Sequence, residues 1–356
     1  MSLPSTAFHK SAINTPNTAA WGTMSSRLCQ LVALLLLIQL FPCRAFAQRD
    51  TIALEVVRMN SLDTIFTTTQ PDSITPNKNR VWTVAGLHAG IYAGALVLLN
   101  EAWYKDYPKE SFHVFNDGGE WLQVDKVGHA WSAYQLSRVS MASWKWAGLN
   151  RKQQIWLGGL SGAAFQTTIE FLDAHSAEWG WSWGDFAANM AGSALLIGQE
   201  LGWNEQRVSF KFSFHQMKYS DPLLNDRSDE LFGSSIPERM LKDYNGQTYW
   251  LSANLRSFFK QSKIPGWLNI AVGYGASGMF GGYENKWTDP ETGIEYDRTD
   301  IPRVRQWYLA PDVDFTRIKT KSKFLRSVFY CLNAIKLPAP ALVFSNGKFA
   351  VHGFYF

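Results

Sequence analysis

Six polar side chains, drawn from three separate stretches of the sequence, have the types and spacing to act together. Asp125 and His129 are four residues apart, Glu170 and Asp173 three, and Asp185 and Asn189 four. Each spacing puts its pair on one face of a helix. Imidazole with carboxylate oxygens suits Zn, Mn or a similar divalent ion, whereas oxygen ligands alone suit Ca or Mg. A second chemistry uses the same atoms, with His129 as general base and Asp125, Glu170 or Asp185 orienting it. A third reading is structural. Acids near helix starts meet the dipole and cap orphan N–H groups, and a buried His–carboxylate network joins helices because unpaired polar groups are costly to bury. Spacing alone leaves all three open.

Convergence requires helices, and residues 81–204 supply the pattern for about four. Val81 to Asn100 carries no charge and is long enough to cross a hydrocarbon core of ~30 Å. A second helix is expected from Asp125 to Trp146, stopped by Gly148-Leu149-Asn150. A third starts at Arg151 behind Asn150 and runs to Asp173. A fourth starts behind Ser182, where Ser182-Trp183-Gly184-Asp185 fits a capping box, and runs to Gly202. In an up-and-down arrangement, the start of the second helix, the end of the third and the start of the fourth lie at one end. Gly158-Gly159, Gly162-Ala163-Ala164, Ala187-Ala188 and Ala191-Gly192-Ser193-Ala194 give small-residue faces on which backbones can approach closely, in membrane bundles above all.

From residue 205 the period changes to two. Val208, Phe210, Phe212 and Phe214 alternate with Ser209, Lys211, Ser213 and His215, as in a half-buried strand. Further strands are expected over Thr248 to Phe258, Trp267 to Phe280 and Val304 to Phe315. Asn346-Gly347 between two apolar runs predicts a hairpin with a type I′ turn. Ser322 to Lys336 reads as a short amphipathic helix. Asp221, Asp226, Asp229 and Glu230 surround a loop without the spacing of a calcium-binding hand. The fold class expected is α+β: a bundle of about four helices followed by an antiparallel β-sheet or a small β-barrel-like region.

The N-terminal segment reads as an address. Arg27 precedes the apolar run Leu31 to Leu40, and Ala45-Phe46-Ala47 provides small residues for cleavage after Ala47. Met1 and Met24 are both candidate starts. Residues 48–80, rich in Thr, Asn, Asp and Pro, read as an extended linker. Cys29 and Cys43 would leave with the signal, so Cys331 could form no internal disulfide. Of 356 residues, 46% are apolar, 15% aromatic and 18% charged, with net charge +4 and sixteen Trp. This excludes disorder, collagen, a coiled coil and a disulfide knot. The charge is too small and too dispersed to imply nucleic acid. Trp121, Trp131, Trp144, Trp146, Trp179, Trp181 and Trp183 bracket the helices, as an interfacial belt or as core. Lys78, Arg80, Arg151 and Lys152 would lie outside after cleavage, which opposes an ordinary inner-membrane orientation. No phosphate-cradling loop, nucleophile elbow, paired-Cys motif or dinucleotide fingerprint is present.

Asp125-Lys126-Val127-Gly128-His129, Glu170-Phe171-Leu172-Asp173 and Gly180-Trp181-Ser182-Trp183-Gly184-Asp185, leading to Asn189-Met190-Ala191-Gly192, resemble the YfiM-like family of predicted periplasmic lipoproteins. More loosely, the same order of polar residues is similar to VanZ-like membrane proteins. The resemblance covers about residues 82–202. It implies envelope residence and a shared polar constellation, without a reaction. Phe41-Pro42 before Cys43 departs from a lipoprotein signal, and the β-rich C-terminal part is additional. The reading is therefore an exported, membrane-associated envelope protein, at the periplasmic face of a membrane and with the outer membrane favoured. Its helices carry a polar or metal-binding site of Asp125, His129, Glu170, Asp173, Asp185 and Asn189. Lipid is the expected partner and a divalent metal ion the expected cofactor. The alternative is a hydrolase or transferase acting on a lipid-linked phosphate or ester, with His129, Asp125, Glu170 and Asp185 as catalytic candidates.

Overall fold

Asn77 accepts a hydrogen bond from the Arg80 N–H at 3.1 Å and starts the first helix, α1 (Lys78–Leu99). The computed structural model describes residues 76–101, 108–289 and 292–356. The signal region, residues 1–47, and the linker as far as residue 75 lie outside the described residues. Residues 78–80 of that linker are helical rather than extended, because the Asn77 cap lies four residues before Val81, where the uncharged run begins.

Helix α2 (Val124–Ala147) ends on Gly148, whose φ of 88° is the left-handed conformation that Gly adopts without a Cβ penalty. Asn150 and Gln153 form a reciprocal capping box, but the run expected as one helix to Asp173 is interrupted. A helical turn at Arg151–Gln153 passes into a wide turn over Gln154–Gly158, and α3 is Ser161–Asp173. The cause lies in the chain's own small residues. At Gly158 a Cβ would overlap the Met141 backbone, and Gly158-Gly159 is weakly helix-forming. Ser182 accepts from the Asp185 N–H at 3.0 Å and starts α4 (Trp183–Trp203).

Contacts between helices explain their order. Gly192 of α4 sits against the Ala130 carbonyl of α2, and Gly162 of α3 against the Ala133 carbonyl. A methyl group at either position would collide with backbone. Ser137 Oγ, from α2, donates to Gly159 O at 2.6 Å and meets Ser193 Oγ of α4 at 3.0 Å, so three segments share one buried polar junction. α1 touches α2 at its far end, through Val84, Ala147 and Leu149.

Six antiparallel strands follow, in the order β1 (Val208–Phe214), β2 (Gln247–Asn254), β3 (Leu268–Ser277), β6 (Val304–Val313), β7 (Ala339–Ser345) and β8 (Lys348–Tyr355). β4 (Lys286–Thr288) and β5 (Glu295–Asp297) form a separate ribbon. Asn346 and Gly347 both have positive φ, 48° and 72°, as a type I′ turn demands. The strand expected to reach Phe258 stops at Asn254, whose side chain accepts from the Ser257 N–H and turns the chain into a helical turn, Leu255–Phe258. The segment read as an acidic loop holds two helices, α5 (Pro222–Phe232) and α6 (Ile236–Lys242). Asp221 caps the first, and Ser235 with Glu238 forms a capping box on the second. Their alternating polar residues are partners for one another: Arg239 reaches Asp229 at 2.5 Å and Asp243 at 3.0 Å. Lys323–Leu332 is the amphipathic helix α7, capped by Ser322.

Tyr134 and Trp131 of α2 pack on Phe210 and Phe212 of β1, which joins helices and sheet in one core with Tyr249 and Leu196. The opposite face of the sheet curls inward over Trp250, Tyr308, Ala341 and Val343, and Tyr355 returns across it to Thr248. That concave side buries an ion pair, Lys211 with Asp312 at 2.7 Å, which Ser252 joins at 2.6 Å.

Candidate functional site

The glycine contacts just described bring one pole of α2 against α3 and α4. Gly192 and Ala130 set how far His129 lies from α4, and Gly162 with Ala133 does the same for α3. The entry to α2 is also fixed. Trp121, Leu122 and Gln123 have φ of 47°, 50° and 63°, a left-handed turn of three non-glycine residues. Such residues cost roughly 1–2 kcal/mol each. Here the Trp121 N–H donates to Gly282 O at 2.8 Å, Tyr274 donates its hydroxyl to Leu122 O, and Arg305 holds Gln123 Oε1 at 2.6 Å. The turn determines the direction in which Asp125 and Lys126 leave it.

His129 sits at the centre. Its Nδ1 meets Asn189 Oδ1 at 3.3 Å and lies 3.6 Å from Glu170 Oε1. With Nδ1 donating to Asn189, the Nε2 lone pair faces Asp125 Oδ1 at 3.8 Å and Asp185 Oδ1 at 3.7 Å. These last two separations are too long for hydrogen bonds. One ligand atom from each of Asp125, His129 and Asp185 lies within 4.8 Å of the others. Ligands around a tetrahedral ion at about 2.0–2.2 Å stand roughly 3.3–3.6 Å apart, so the two imidazole–carboxylate separations would close on an ion with shifts of a few tenths of an ångström. The arrangement of His Nδ1 on an amide oxygen, with Nε2 turned to acids, is that of a metal-binding imidazole and its supporting hydrogen bond.

A lysine shares the carboxylates. Lys126 Nζ reaches Asp117 at 2.5 Å, Asp185 Oδ1 at 2.8 Å and Asp125 Oδ2 at 3.1 Å. Asp117 in turn accepts from Ser182 Oγ at 2.7 Å, and Tyr244 donates its hydroxyl to Asp125 Oδ1 at 3.0 Å. Although Asp185 Oδ1 has this ion pair, it accepts no well-directed hydrogen bond, and the buried Asn189 Nδ2 has no hydrogen-bond partner.

Burial and crowding set the charges. Burial pushes the Glu170 carboxyl up to about 8, aided by Asp185 and Asp173 and opposed by His129. Burial likewise raises Asp185 to about 6, against the pull of His129 and Lys126. At His129, burial opposes the imidazolium, but Asp125, Asp185 and Glu170 together outweigh it and raise the imidazole above its ordinary value. Asp117 is held low despite burial, chiefly by its hydrogen bond from Lys126.

The cluster opens on one side. A cleft of about 250 Å³ borders Asp125 and His129 and is walled by Tyr244, Tyr249, Gln166 and Met240. Gly128 lines it too, and a Cβ there would press on the Tyr249 hydroxyl at 2.7 Å. The geometry thus brings together Asp125, His129, Glu170, Asp185 and Asn189. Asp173, at the end of α3, adds its charge to those that raise Glu170. His175 lies elsewhere, bonded to Phe171 O at 2.8 Å. Among the seven tryptophans named above, only Trp183 is largely exposed; Trp121, Trp131 and Trp181 pack against neighbouring rings.

Lys126, which the sequence offers as a solvated neighbour or as an ion-pair partner for Glu120 or Asp173, pairs instead with three other carboxylates. Two further participants were not foreseen. Asp117 belongs to the turn Asn116-Asp117-Gly118-Gly119, whose composition signals only a turn. Tyr244 arrives from the segment after α6, about 120 residues away in sequence, and no local pattern announces it.

Residues 113–197 match a family model described as "Predicted periplasmic lipoprotein (DUF2279)". The match spans α2, α3 and α4 as far as Ile197, with every residue of the cluster except Tyr244. No curated protein and no solved structure matches the chain.

Proposed function

We propose that this is an exported envelope protein, seated against a membrane, whose helices carry a centre for one divalent cation. Asp125, His129 and Asp185 are its ligands. Asn189 and Glu170 hold the imidazole from behind. The observation that carries this reading is the set of facing atoms at 3.7–3.8 Å, Nε2 of His129 with Oδ1 of Asp125 and Asp185, beside a cleft that a ligand can enter. A purely structural network would close those distances into hydrogen bonds. Envelope residence is supported by the family description matched over the helical segment and by the leader-like sequence up to Ala47.

Membrane contact is supported by two features. α1 is long and apolar enough to cross a bilayer, with mean hydropathy 1.6 and little of its surface covered. Beyond the helices, the outer face of the sheet carries a directly paired row, Leu251, Val272, Leu309, Leu342 and Val351, each 39–76% exposed. The next row adds Trp307, Phe344 and Phe349. An apolar exterior over a concave side holding Lys211, Asp312 and Ser252 is the polarity of strands that face lipid, and it favours the outer membrane. The cleft beside His129 also favours a second reading, in which the centre hydrolyses or transfers a lipid-linked phosphate or ester with His129 as base.

The test is cation content. Wild-type protein reconstituted with Zn²⁺ or Mn²⁺ and desalted is expected to retain about one equivalent, and His129→Ala and Asp185→Ala to retain almost none. Wild type without retained cation, together with variants that melt like wild type, would defeat both the metal and the structural readings. Turnover of phosphate or ester lipids that is lost with His129→Ala would favour the second reading.

A further inference from the structure

A second cavity, of about 260 Å³, lies on the far side of α2 from the cation centre, and Arg138 forms part of its wall. Only 7% of this arginine is exposed. Its guanidinium lies over the Tyr330 ring at 4.3 Å and donates once, from Nη1 to Tyr330 O at 3.1 Å. Nε and Nη2 are buried and have no hydrogen-bond partner. A desolvated guanidinium with two adjacent unused donors is costly to hold. Those two N–H groups form the edge that grips two oxygens of one carboxylate or phosphate.

The surroundings add positive charge. Lys145, about two turns further along the same face of α2, is exposed and lines the same cavity. Arg151 lines it as well, but is paired with Glu200 at 2.9 Å. The other acid on the wall, Asp314, is engaged by Thr316 Oγ1 at 2.5 Å and lies 3.5 Å from Arg317 Nε. Both acids are thus paired, whereas Arg138 and Lys145 have no carboxylate partner among the described residues. Met141, Ala142 and Ile155 give the wall an apolar part, beside the polar Gln154, Gln206 and Asn333.

We infer that this cavity is an oxyanion site, in which Arg138 clamps two oxygens of a phosphate group and Lys145 supplies a second charge at the mouth. Two sources carry that chemistry, free phosphate and the phosphate of an anionic lipid headgroup, and the apolar part of the wall accommodates the second. The site is independent of the cation centre and does not rest on it.

Full-length protein in a neutral detergent is titrated with inorganic phosphate and with sn-glycerol 3-phosphate by calorimetry. It is also floated with vesicles of phosphatidylcholine alone or mixed with phosphatidylglycerol. Saturable one-to-one binding is expected, weakened about 10- to 100-fold by Arg138→Lys, which keeps the charge and loses the fork. Lys145→Gln, an exposed change that leaves the core untouched, is expected to weaken binding several-fold, and it serves if Arg138→Lys fails to fold. Binding of the soluble phosphates assigns a free phosphate, and a preference for phosphatidylglycerol vesicles alone assigns a headgroup. His129→Ala should leave either result unchanged. Absence of both kinds of binding, or binding that neither Arg138→Lys nor Lys145→Gln alters, overturns the inference.

Discussion

Replacing Glu170 by Gln keeps the length and shape of the side chain and removes its charge. Glu170 is 2% exposed, and its carboxyl titrates near 8 instead of its ordinary 4.5. The folded protein therefore holds this proton more tightly than the unfolded chain does. Its contribution to stability is fully present below pH 4.5 and is lost as pH rises through the window from 4.5 to 8. At about 1.4 kcal/mol per pH unit, the loss is on the order of 3 kcal/mol by pH 7 and approaches about 5 kcal/mol above pH 8. His129, whose imidazole is also raised, loses stability in the same direction as pH rises through its folded pKa, but it is present in both proteins and largely cancels in the comparison. Thermal melts of wild type and Glu170→Gln, in chelator to exclude cations, should coincide near pH 4 and diverge on the alkaline side. By pH 8 the variant should melt higher, by roughly 2 °C or somewhat more per kcal/mol for a chain of this size. Parallel curves, or a variant less stable than wild type at pH 8, would show that Glu170 is ionised in the fold and that the charge assignment of the centre is wrong.

Cation affinity should depend on pH because bound His129 and Asp185 must both be deprotonated; with Asp185 near 6 and His129 raised, retained Zn²⁺ should fall by about tenfold or more per pH unit below 6. An affinity flat from pH 5 to 7 would remove these two groups as ligands. Gly192→Ala places a methyl group against the Ala130 carbonyl and should destabilise by roughly 1–3 kcal/mol in chemical denaturation while also lowering cation retention, whereas Gly198→Ala on the same helix meets nothing and should do neither. Asp312→Ala leaves Lys211 buried without its partner and should cost about 3–5 kcal/mol; the double change Lys211→Met with Asp312→Leu should recover most of it. Equal denaturation midpoints for the single and double variants would refute that reading.

Local signals carried much of the architecture. Gly148, Asn150 and Ser182 mark helix ends through one-residue rules, and Asn346-Gly347 marks the last hairpin, so these boundaries needed no tertiary information. The helices at Pro222–Phe232 and Ile236–Lys242 were missed because their polar residues outnumber any apolar stripe, although their caps, Asp221 and Ser235 with Glu238, are local signals; only the reach of Arg239 to Asp229 of the other helix is tertiary. The wide turn at Gln154–Gly158 is similarly decided by the approach of Met141 from another helix. At the site, i to i+4 spacing correctly placed Asp125 with His129 and Asp185 with Asn189. It failed for Lys126, since adjacency to Asp125 says nothing about which side of α2 a long flexible side chain takes. On α3 it is Glu170 that lies beside His129, at 3.6 Å.

The charges of the centre favour a doubly charged ion. With Glu170 counted as neutral, the three carboxylates around Lys126 are those of Asp117, Asp125 and Asp185, and Lys126 supplies the fixed cation beside them. A neutral His129 leaves the group with an excess of two negative charges, and an imidazolium leaves one. A divalent ion bound to neutral His129 brings the sum to zero, and binding would expel the imidazole proton into solution. A monovalent ion would leave one charge uncompensated, and a trivalent ion would reverse its sign, each at a desolvation cost on the buried side of the cluster. Lys126→Met tests the point, because it raises the negative excess to three while leaving all three ligand residues in place and freeing Asp185 Oδ1 of its ion pair. It should lower the protein's stability without cation and increase the stabilisation gained on adding Zn²⁺. If the variant instead gains nothing from the ion, Lys126 holds the carboxylates in their binding positions, and the electrostatic account of the centre gives way to a geometric one.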